Sequence, residues 1–355
     1  MDRKASSYRR VAVLAAALVS IVTAASVASA QDVGAFYKGK SIRLVIANGV
    51  GGGNDAYSRL LARYIVNHIP GNPSIIVENM PGAGGLRAAN WIYNIAPKDG
   101  TVMGTVNNAM VVEPLFGNSA AQFDSRKYEW IGAMSKQYTT CAVWAASYIM
   151  TIEDAKKRQV LVSTTGATGN SALMPLMLNT LLGTKFKVIA GYTTTGMRMA
   201  LEQGEAEGIC GFSYDTFAAA EPGWIRDHKL RFLLQTGVQR IKELPDVPVL
   251  LDDVKDPIAR EAINVIGVRE ELGRPHMLPP GVKAPIVKAM RTAFNETMVD
   301  PGYVKDAEKL HITIEPTTGE EVTKMLERAY AEPPEVIALA KKLWPPAVTD
   351  PNSKD

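Results

Sequence analysis

The sequence predicts an α/β protein built of two lobes that are joined by two crossover strands. Short apolar segments alternate with amphipathic helical segments, and glycine-rich turns separate them. The alternation runs through residues 41–106 and starts again after residue 127. A strand–helix–strand order implies parallel strands with right-handed crossovers, and the restart implies a second sheet.

The first thirty residues have the three parts of a secretory signal peptide. Basic residues lie between positions 3 and 10, an apolar run covers 11–22, and Ala28-Ser29-Ala30 fits a small-residue cleavage site. We therefore expect export to the periplasm with Gln31 as the mature N-terminus, and a retained signal anchor is the alternative. The chain has 39 Lys+Arg and 36 Asp+Glu, and removing residues 1–30 leaves 35 of each. This neutral balance argues against a nucleic-acid partner.

The first lobe is predicted to be discontinuous, with residues 31–130 and 236–355. Its strands are each followed by a turn or helix signal, and prolines and glycines end the helices. The predicted elements are strands at 42–47, 74–78 and 101–106, a helix with apolar Leu60, Leu61, Ile65 and Val66, and a helix at 86–96. Later helices at 283–299, 301–309, 318–331 and 334–343 are expected to pack back on this lobe.

Residues 131–235 are predicted to form the second lobe, inserted in the first. We interpret 127–134 as the strand that crosses into it and 230–235 as the strand that returns. Between them lie predicted strands at 141–144, 160–163, 187–190 and 208–212, a short helix after Thr151, a helix ending at Leu182 and a helix at 197–203. Two connections permit hinge closure of the lobes around a ligand.

The chain has two cysteines, Cys141 and Cys210, and both lie in apolar segments that read as strands. In an oxidising compartment such a pair is a candidate disulfide, and two buried free thiols are the alternative. The four histidines are scattered, without the spacing of metal ligands. We therefore predict no metal site.

Two glycine-rich turns, Asn48–Asp55 and Thr164–Ser171, each lie between a strand and a helix. Such a turn leaves backbone N–H groups unpaired at a helix N-terminus, where the helix dipole adds partial positive charge. Glycine also lets the backbone approach an anion closely. Ordinary helix capping explains one such turn, but matching turns in both lobes favour a shared anion-binding site.

The first turn also permits a dinucleotide-binding interpretation, because Gly49-x-Gly51 follows a strand and Glu78 ends the next one. Asn54 replaces the third glycine of that pattern, and export argues against a nicotinamide cofactor, so we predict no cofactor. Ser171 and Ser213 lack a histidine partner and a nucleophile-elbow sequence. The sequence therefore predicts a binding protein, not an enzyme.

The chain resembles a known family from Tyr37 to Gly104, where it reads YKGKSIRLVIANGVGGGNDAYSRLLARYI…IIVENMPGAGGLRAANWIYNIAPKDGTVMG. These residues are similar to the receptors of tripartite tricarboxylate transporters, also called Bug-type solute receptors. The similarity continues through VSTTGATGNSA, VIAGY, LEQGEAEG and LPDVPVL to the PPGV that opens the C-terminal helices. It covers nearly the whole mature chain, and the combination of GGxxD with ENxPGAGG is specific.

The resemblance implies a type II periplasmic-binding-protein fold with a helical C-terminal segment on the first lobe. It also implies capture of a small organic acid between the lobes and its delivery, chemically unchanged, to a membrane permease. The expected partners are the permease subunits of a tripartite tricarboxylate transporter, and the mature receptor is expected to be a monomer. A sensor that presents its ligand to a signalling partner would use the same fold and remains the alternative.

The resemblance also suggests which residues hold a carboxylate, through backbone N–H groups and ordered waters. In the first turn these are Gly49, Gly51, Gly52, Gly53, Asn54 and Asp55. In the turn of the second lobe they are Thr165, Gly166, Thr168, Gly169, Asn170 and Ser171. Asn107 and Asn108 follow the third strand as further polar contacts, and Tyr192 is a weaker candidate.

Two departures from the family pattern lie at the expected pocket wall. Asn54 stands where many members have Ser or Thr, and Tyr192 is followed by three threonines in place of a segment with lysine and glycine. The solute could therefore be a less ordinary acid or a neutral compound. Arg87 and Arg198 are candidates to neutralise a second carboxylate, although arginines on helices are more often solvated.

Overall fold

The computed structural model describes residues 32–51, 53–164 and 170–344. It contains two β-sheets with helices between their strands, which confirms the predicted α/β class with two lobes. The predicted signal peptide, residues 1–30, lies outside the described residues. Within the described ranges, no helix has the length and apolar character needed to cross a membrane.

The strands and helices are numbered in chain order. The strands are β1 (Ser41–Ile46), β2 (Ser74–Asn79), β3 (Val102–Thr105), β4 (Glu129–Ser135), β5 (Thr139–Trp144), β6 (Val160–Ser163), β7 (Phe186–Ile189), β8 (Gly208–Ser213), β9 (Leu230–Gln235), β10 (Gly273–Leu278) and β11 (Thr317–Thr318). The helices are α1 (32–37), α2 (Gly53–Ile65), α3 (Leu86–Asn94), α4 (Ile152–Lys157), α5 (Asn170–Leu182), α6 (Thr194–Glu202), α7 (Tyr214–Ala220), α8 (Pro222–Arg226), α9 (Leu250–Asp253), α10 (Pro257–Glu271), α11 (Ala284–Met298), α12 (Pro301–Lys309), α13 (Gly319–Ala331) and α14 (Pro334–Leu343).

The first sheet has six strands in the order β11–β4–β10–β3–β1–β2. β1 pairs in parallel with β2 and with β3, and α2 and α3 form the crossovers. β10 is antiparallel to β3 and to β4. The carboxyl ends of β1, β2 and β3 therefore lie at one edge of the sheet, where their following turns come together.

The second sheet has five strands in the order β7–β6–β8–β5–β9. β6 is parallel to β7 and β8, whereas β5 is antiparallel to β8 and β9. Cys141 on β5 and Cys210 on β8 are register partners, with their Cα atoms 3.9 Å apart, and the structure records a disulfide between them. The bond thus links neighbouring strands inside the apolar core, where both side chains are buried.

The connections between the sheets run through short segments. β4 pairs over its whole length in the first sheet, and residues 136–138 lead from it to β5 in the second. The predicted boundary between residues 130 and 131 falls inside β4 and stays a prediction. The chain returns after β9 through α9 and α10 to β10, which the sequence analysis did not predict. β10 contains Pro275 and His276 and lacks an alternating apolar pattern, so its central place in the sheet depends on tertiary pairing.

The helical C-terminal segment packs mainly on the first lobe. Its four predicted helices are confirmed within one residue at each end as α11, α12, α13 and α14. α11 and α13 pack on β4, α12 packs on α2, and α14 packs on α10. Buried Phe294 and Tyr303 belong to the same apolar cluster as Leu44 and Leu61, so this tail completes the core on one face of the first sheet.

Candidate ligand-binding site

Side-chain amides join the turns at the carboxyl edge of the first sheet. Asn54 Nδ2 donates to Asn48 Oδ1 at 2.6 Å and to Asn107 Oδ1 at 2.9 Å. Asn107 Nδ2 in turn donates to the carbonyl oxygen of Gly84 at 3.1 Å. The turn after β1, the turn after β2 and the segment after β3 therefore form one hydrogen-bonded unit.

Asp55 holds the first glycine turn in shape. Its Oδ2 accepts the backbone N–H of Gly51 at 2.9 Å, and its Oδ1 accepts from Arg59 Nε and Asn79 Nδ2, each at 2.9 Å. Burial by itself would raise the pKa of Asp55, but these hydrogen bonds outweigh it and hold the pKa below its ordinary value. Its carboxylate is thus ionised and engaged by three protein donors.

The backbone of the first turn is open to solvent. Gly49, Gly51 and Gly53 are exposed, and Val50 between them is 77 % exposed. Gly51 has a φ of 83°, in the left-handed region that favours glycine. The turn therefore presents main chain rather than packed side chains at the start of α2.

Arg274 of β10 lies against the start of α2, and the sequence analysis did not single it out. A Cβ atom added to Gly53 would lie 2.8 Å from Arg274 Nη2, so the guanidinium touches the first residue of the helix. Its Cζ lies 5.0 Å from the centre of the Tyr57 ring. The backbone of Arg274 has a φ of 59°, a conformation that costs about 1–3 kcal/mol for a residue other than glycine.

An interlobe cavity of 280 Å³ lies next to this region. Tyr57 Oη accepts the backbone N–H of Thr313 at 3.1 Å, and Thr313 lines the cavity together with Asp215 of the second lobe. The remaining lining residues are Lys136, Tyr138, Tyr214, Gln239, Arg240, Ile241, Lys242, Glu243 and Glu315. The cavity therefore has walls from both lobes and from the segment that connects them.

The second glycine turn is described only at its two ends. Thr164 Oγ1 and Ser171 Oγ lie 2.6 Å apart, and both side chains are buried. Asn170, the first residue of α5, accepts a hydrogen bond at its Oδ1 from Arg269 Nη1 at 2.7 Å. The predicted contacts Gly52, Thr165, Gly166, Thr168 and Gly169 lie outside the described residues.

Arg269 is a fully buried cation between the lobes. Its guanidinium stacks on Trp344 at 3.6 Å from the ring centre and lies 3.6 Å from Glu270 Oε1. Burial lowers the pKa of Arg269 to about 10, and the charge of Glu270 opposes the decrease. Nε and Nη2 have no hydrogen-bond partner among the described residues.

Asn108 connects the first lobe to the same helix end. Its Nδ2 donates to the carbonyl oxygen of Arg269 at 2.8 Å and to Gln137 Oε1 at 3.0 Å. Because Arg269 also donates to Asn170, the C-terminal end of α10 lies between the segment after β3 and the start of α5. The segment after β3 and the start of α5 thus both contact the same helix end.

A family model described as "Tripartite tricarboxylate transporter family receptor" matches residues 62–328 of the chain. The chain belongs to this family. A UPF0065 protein of Bordetella bronchiseptica is 25 % identical over 288 residues, which are 80 % of each chain. The sequence-based identification of the family is therefore confirmed.

Solved structures support the fold of this receptor. A TctC solute-binding protein from Polaromonas, without ligand, has a TM-score of 0.67 at 21 % identity, covering 86 % of this chain and 98 % of the other. MatC of Rhodopseudomonas palustris with bound malate has a TM-score of 0.58 at 17 % identity, over 86 % and 98 % of the two chains. A protein of R. palustris with adipate has a TM-score of 0.59 at 14 % identity, over 86 % and 97 %. The expected periplasmic-binding-protein fold is confirmed.

Members of this family are periplasmic solute-binding receptors, and carboxylates are bound in similar structures. Among the predicted contacts, the structure brings Asn54, Asp55 and Asn107 together at the first turn. It brings Asn108 and Asn170 together around Arg269.

Other candidates have their own partners away from these two groups. Tyr192 Oη donates to Glu205 Oε2 at 3.3 Å, while its backbone N–H reaches Thr164. Arg198 forms an ion pair with Glu221 at 3.1 Å, and Arg87 is exposed and donates to Pro81 O at 3.4 Å. Glu78, the acid of the dinucleotide interpretation, is held by Arg43 through Nε at 2.5 Å and Nη2 at 2.6 Å.

Sequence reasoning missed Arg269 and Arg274. They lie in a helix and a strand that were not predicted, far along the chain from either glycine turn. The only available signal is the RxxxxR spacing in REELGR just before the predicted C-terminal helices. Within the described residues, no group of three or more His, Cys, Asp and Glu side chains could hold a metal ion.

Proposed function

We propose that this chain is exported to the periplasm, captures a small carboxylate between its lobes and delivers it to the permease of a tripartite tricarboxylate transporter. The proposal involves binding and release without chemical change of the solute. The similarity of the chain to the family along residues 62–328 supports the receptor role. The bound malate and adipate of two similar structures make a small organic acid the first ligand class to test.

The proposal depends mainly on contacts at the C-terminal end of α10. The segment after β3 and the first residue of α5, which come from different lobes, both contact the C-terminal end of α10, through Asn108 and Asn170. This arrangement supports a cleft into which the N-termini of α2 and α5 both open. Helix N-termini bind anions through free N–H groups and the helix dipole, and two short interlobe connections allow closure.

Ligand-dependent stabilisation tests the proposal. Thermal unfolding of the mature chain is measured with a panel of small mono-, di- and tricarboxylates that includes malate and adipate. A ligand at a hundred times its Kd is expected to stabilise the folded chain by about 2.7 kcal/mol. A panel that leaves the melting temperature unchanged throughout would contradict carboxylate binding.

Export and transport are tested in cells. Fractionation should find the full chain in the periplasm and a version without residues 1–30 in the cytoplasm. Deleting the gene should abolish uptake of the radiolabelled acid identified above, and the full chain should restore it. Normal uptake in the deletion strain would count against the transport role.

A further inference from the structure

We propose that Arg274 binds the negative charge of the ligand directly and makes this receptor prefer an ionised carboxylate over the corresponding neutral amide. The inference rests on the proposed function and identifies the residue that recognises charge at the same site.

The guanidinium of Arg274 has no anionic partner within residues 32–51, 53–164 and 170–344. Among the described residues none forms an ion pair with it, and its Nε is buried without a hydrogen-bond partner. The side chain is only partly exposed. A cation withdrawn from water without a partner is unfavourable, and an anionic ligand would remove that penalty.

Two positive features meet at this point. Arg274 Nη2 lies against Gly53, at the N-terminus of the 13-residue helix α2, where free N–H groups and the helix dipole also attract an anion. Asp55 lies in the same turn, but Gly51, Arg59 and Asn79 already occupy its oxygens. A carboxylate at the N-terminus of α2, beside the Arg274 guanidinium, would interact with both features at once.

The geometry around Arg274 favours a fixed orientation of its guanidinium. The ring of Tyr57 lies 5.0 Å from Cζ, a distance that permits a cation–π interaction. Glycine at position 53 allows the close approach, because any Cβ there would contact Nη2. A planar guanidinium held in this way can donate two parallel hydrogen bonds to one carboxylate, which lysine cannot.

The test compares acids with their amides in matched variants of the mature chain. The probes are succinate, glutarate, adipate and malate, together with their monoamides and diamides, and binding is measured by titration calorimetry. The variants are R274Q, R274K and, as a control, R328Q, which removes an exposed arginine of α13 that donates to Lys324 O. Ligand-free melting temperatures show which variants fold.

We expect R274Q to weaken binding of the preferred diacid by at least about tenfold, the effect of losing a hydrogen bond to a charged group. The affinity for the diamide should change by less than about threefold. The ratio of the affinities for acid and amide should therefore decrease strongly. R274K should retain part of the preference, and R328Q should retain all of it.

A second variant keeps the arginine and moves it. G53A places a methyl group 2.8 Å from the present position of Nη2, so the guanidinium must shift, and alanine is well tolerated in a helix. G53A should therefore also reduce the preference for acid over amide. If R274Q does not fold, G53A is used in its place. Diacid binding with an unchanged preference in both variants would overturn this inference alone. A wild-type chain that binds none of the four acids and is stabilised by no carboxylate of the wider panel would overturn the proposed function with it.

Discussion

The polar residues at this site are of two kinds. Some form hydrogen bonds within the protein, and others keep N–H groups without a partner among the described residues. The first kind hydrogen-bonds mainly to neighbouring turns and includes Asp55, Asn54 and Asn107. Arg269 and Arg274 each keep N–H groups without a partner among the described residues. Side chains of the first kind hold the backbone in position. Those of the second kind have N–H donors that can bind a ligand or form new hydrogen bonds when the conformation changes.

The Arg269–Glu270 pair gives a prediction at this scale. R269M leaves the buried Glu270 without its cation, so the free energy of unfolding should fall by about 3–5 kcal/mol. Burial already raises the pKa of Glu270, with Arg269 opposing it, and R269M should raise that pKa further. Because the folded state then binds more protons than the unfolded state, stability decreases as pH rises, and the deficit should be larger at pH 8 than at pH 5.

Urea unfolding of the ligand-free chain at both pH values measures this effect. The matched control is R198M, which removes the partly exposed ion pair with Glu221 and should cost less than about 1 kcal/mol. The double variant R269M/E270Q should not show the additional pH dependence caused by R269M, because residue 270 no longer titrates. An R269M deficit that is equal at pH 5 and pH 8 would show that Glu270 does not depend on this cation.

At the scale of elements, the glycine turns illustrate what a local pattern can predict. The strand–turn–helix order around Asn48–Asp55 was read from the sequence because apolar periodicity and glycine position are local properties. β10 was not predicted, because its pairing with β3 and β4 comes from partners more than 130 residues away in the sequence. Arg274, which lies on β10, was missed for the same reason.

For the strand pair β5–β8 we predict a disulfide in the exported protein. Cys141 and Cys210 are opposite each other across the two strands, and oxidation should link them in the exported protein. Intact-mass measurement before and after reduction should differ by the two hydrogens of one disulfide. The C141A/C210A variant should be less stable than the oxidised chain by about 2–4 kcal/mol.

Two controls make the disulfide test decisive. Reducing agent should lower the melting temperature of the wild-type chain and leave that of C141A/C210A unchanged. Identical masses with and without reduction would mean that the exported chain contains two free thiols.

For the whole molecule, two sheets joined by short segments imply relative motion of the lobes. The contact of Arg269 with Asn170 crosses between the lobes and can form or break when the cleft opens. Ligand between the lobes adds contacts to the closed form only, so it shifts the equilibrium toward closure.

Closure is measurable by small-angle X-ray scattering. The radius of gyration of the mature chain should decrease when a stabilising carboxylate is added at saturation. R274Q is the control. At carboxylate concentrations too low to bind this variant, its radius of gyration should stay at the ligand-free value. An unchanged radius of gyration in the saturated wild-type chain would argue against hinge closure as part of binding.

The sequence alone was sufficient for the α/β class, the family, the glycine turns and the C-terminal helices. These depend on local periodicity, on turn residues and on motifs that lie together in the chain. Tertiary structure decided that the turns after β1, β2 and β3 are joined by hydrogen bonds and that Asp55 is engaged by three protein donors. It also decided that Arg269 contacts Asn170 and that Arg274 lies against Gly53. The physical reason is that burial and the pairing of charge depend on residues from distant elements, and only folding brings those residues together.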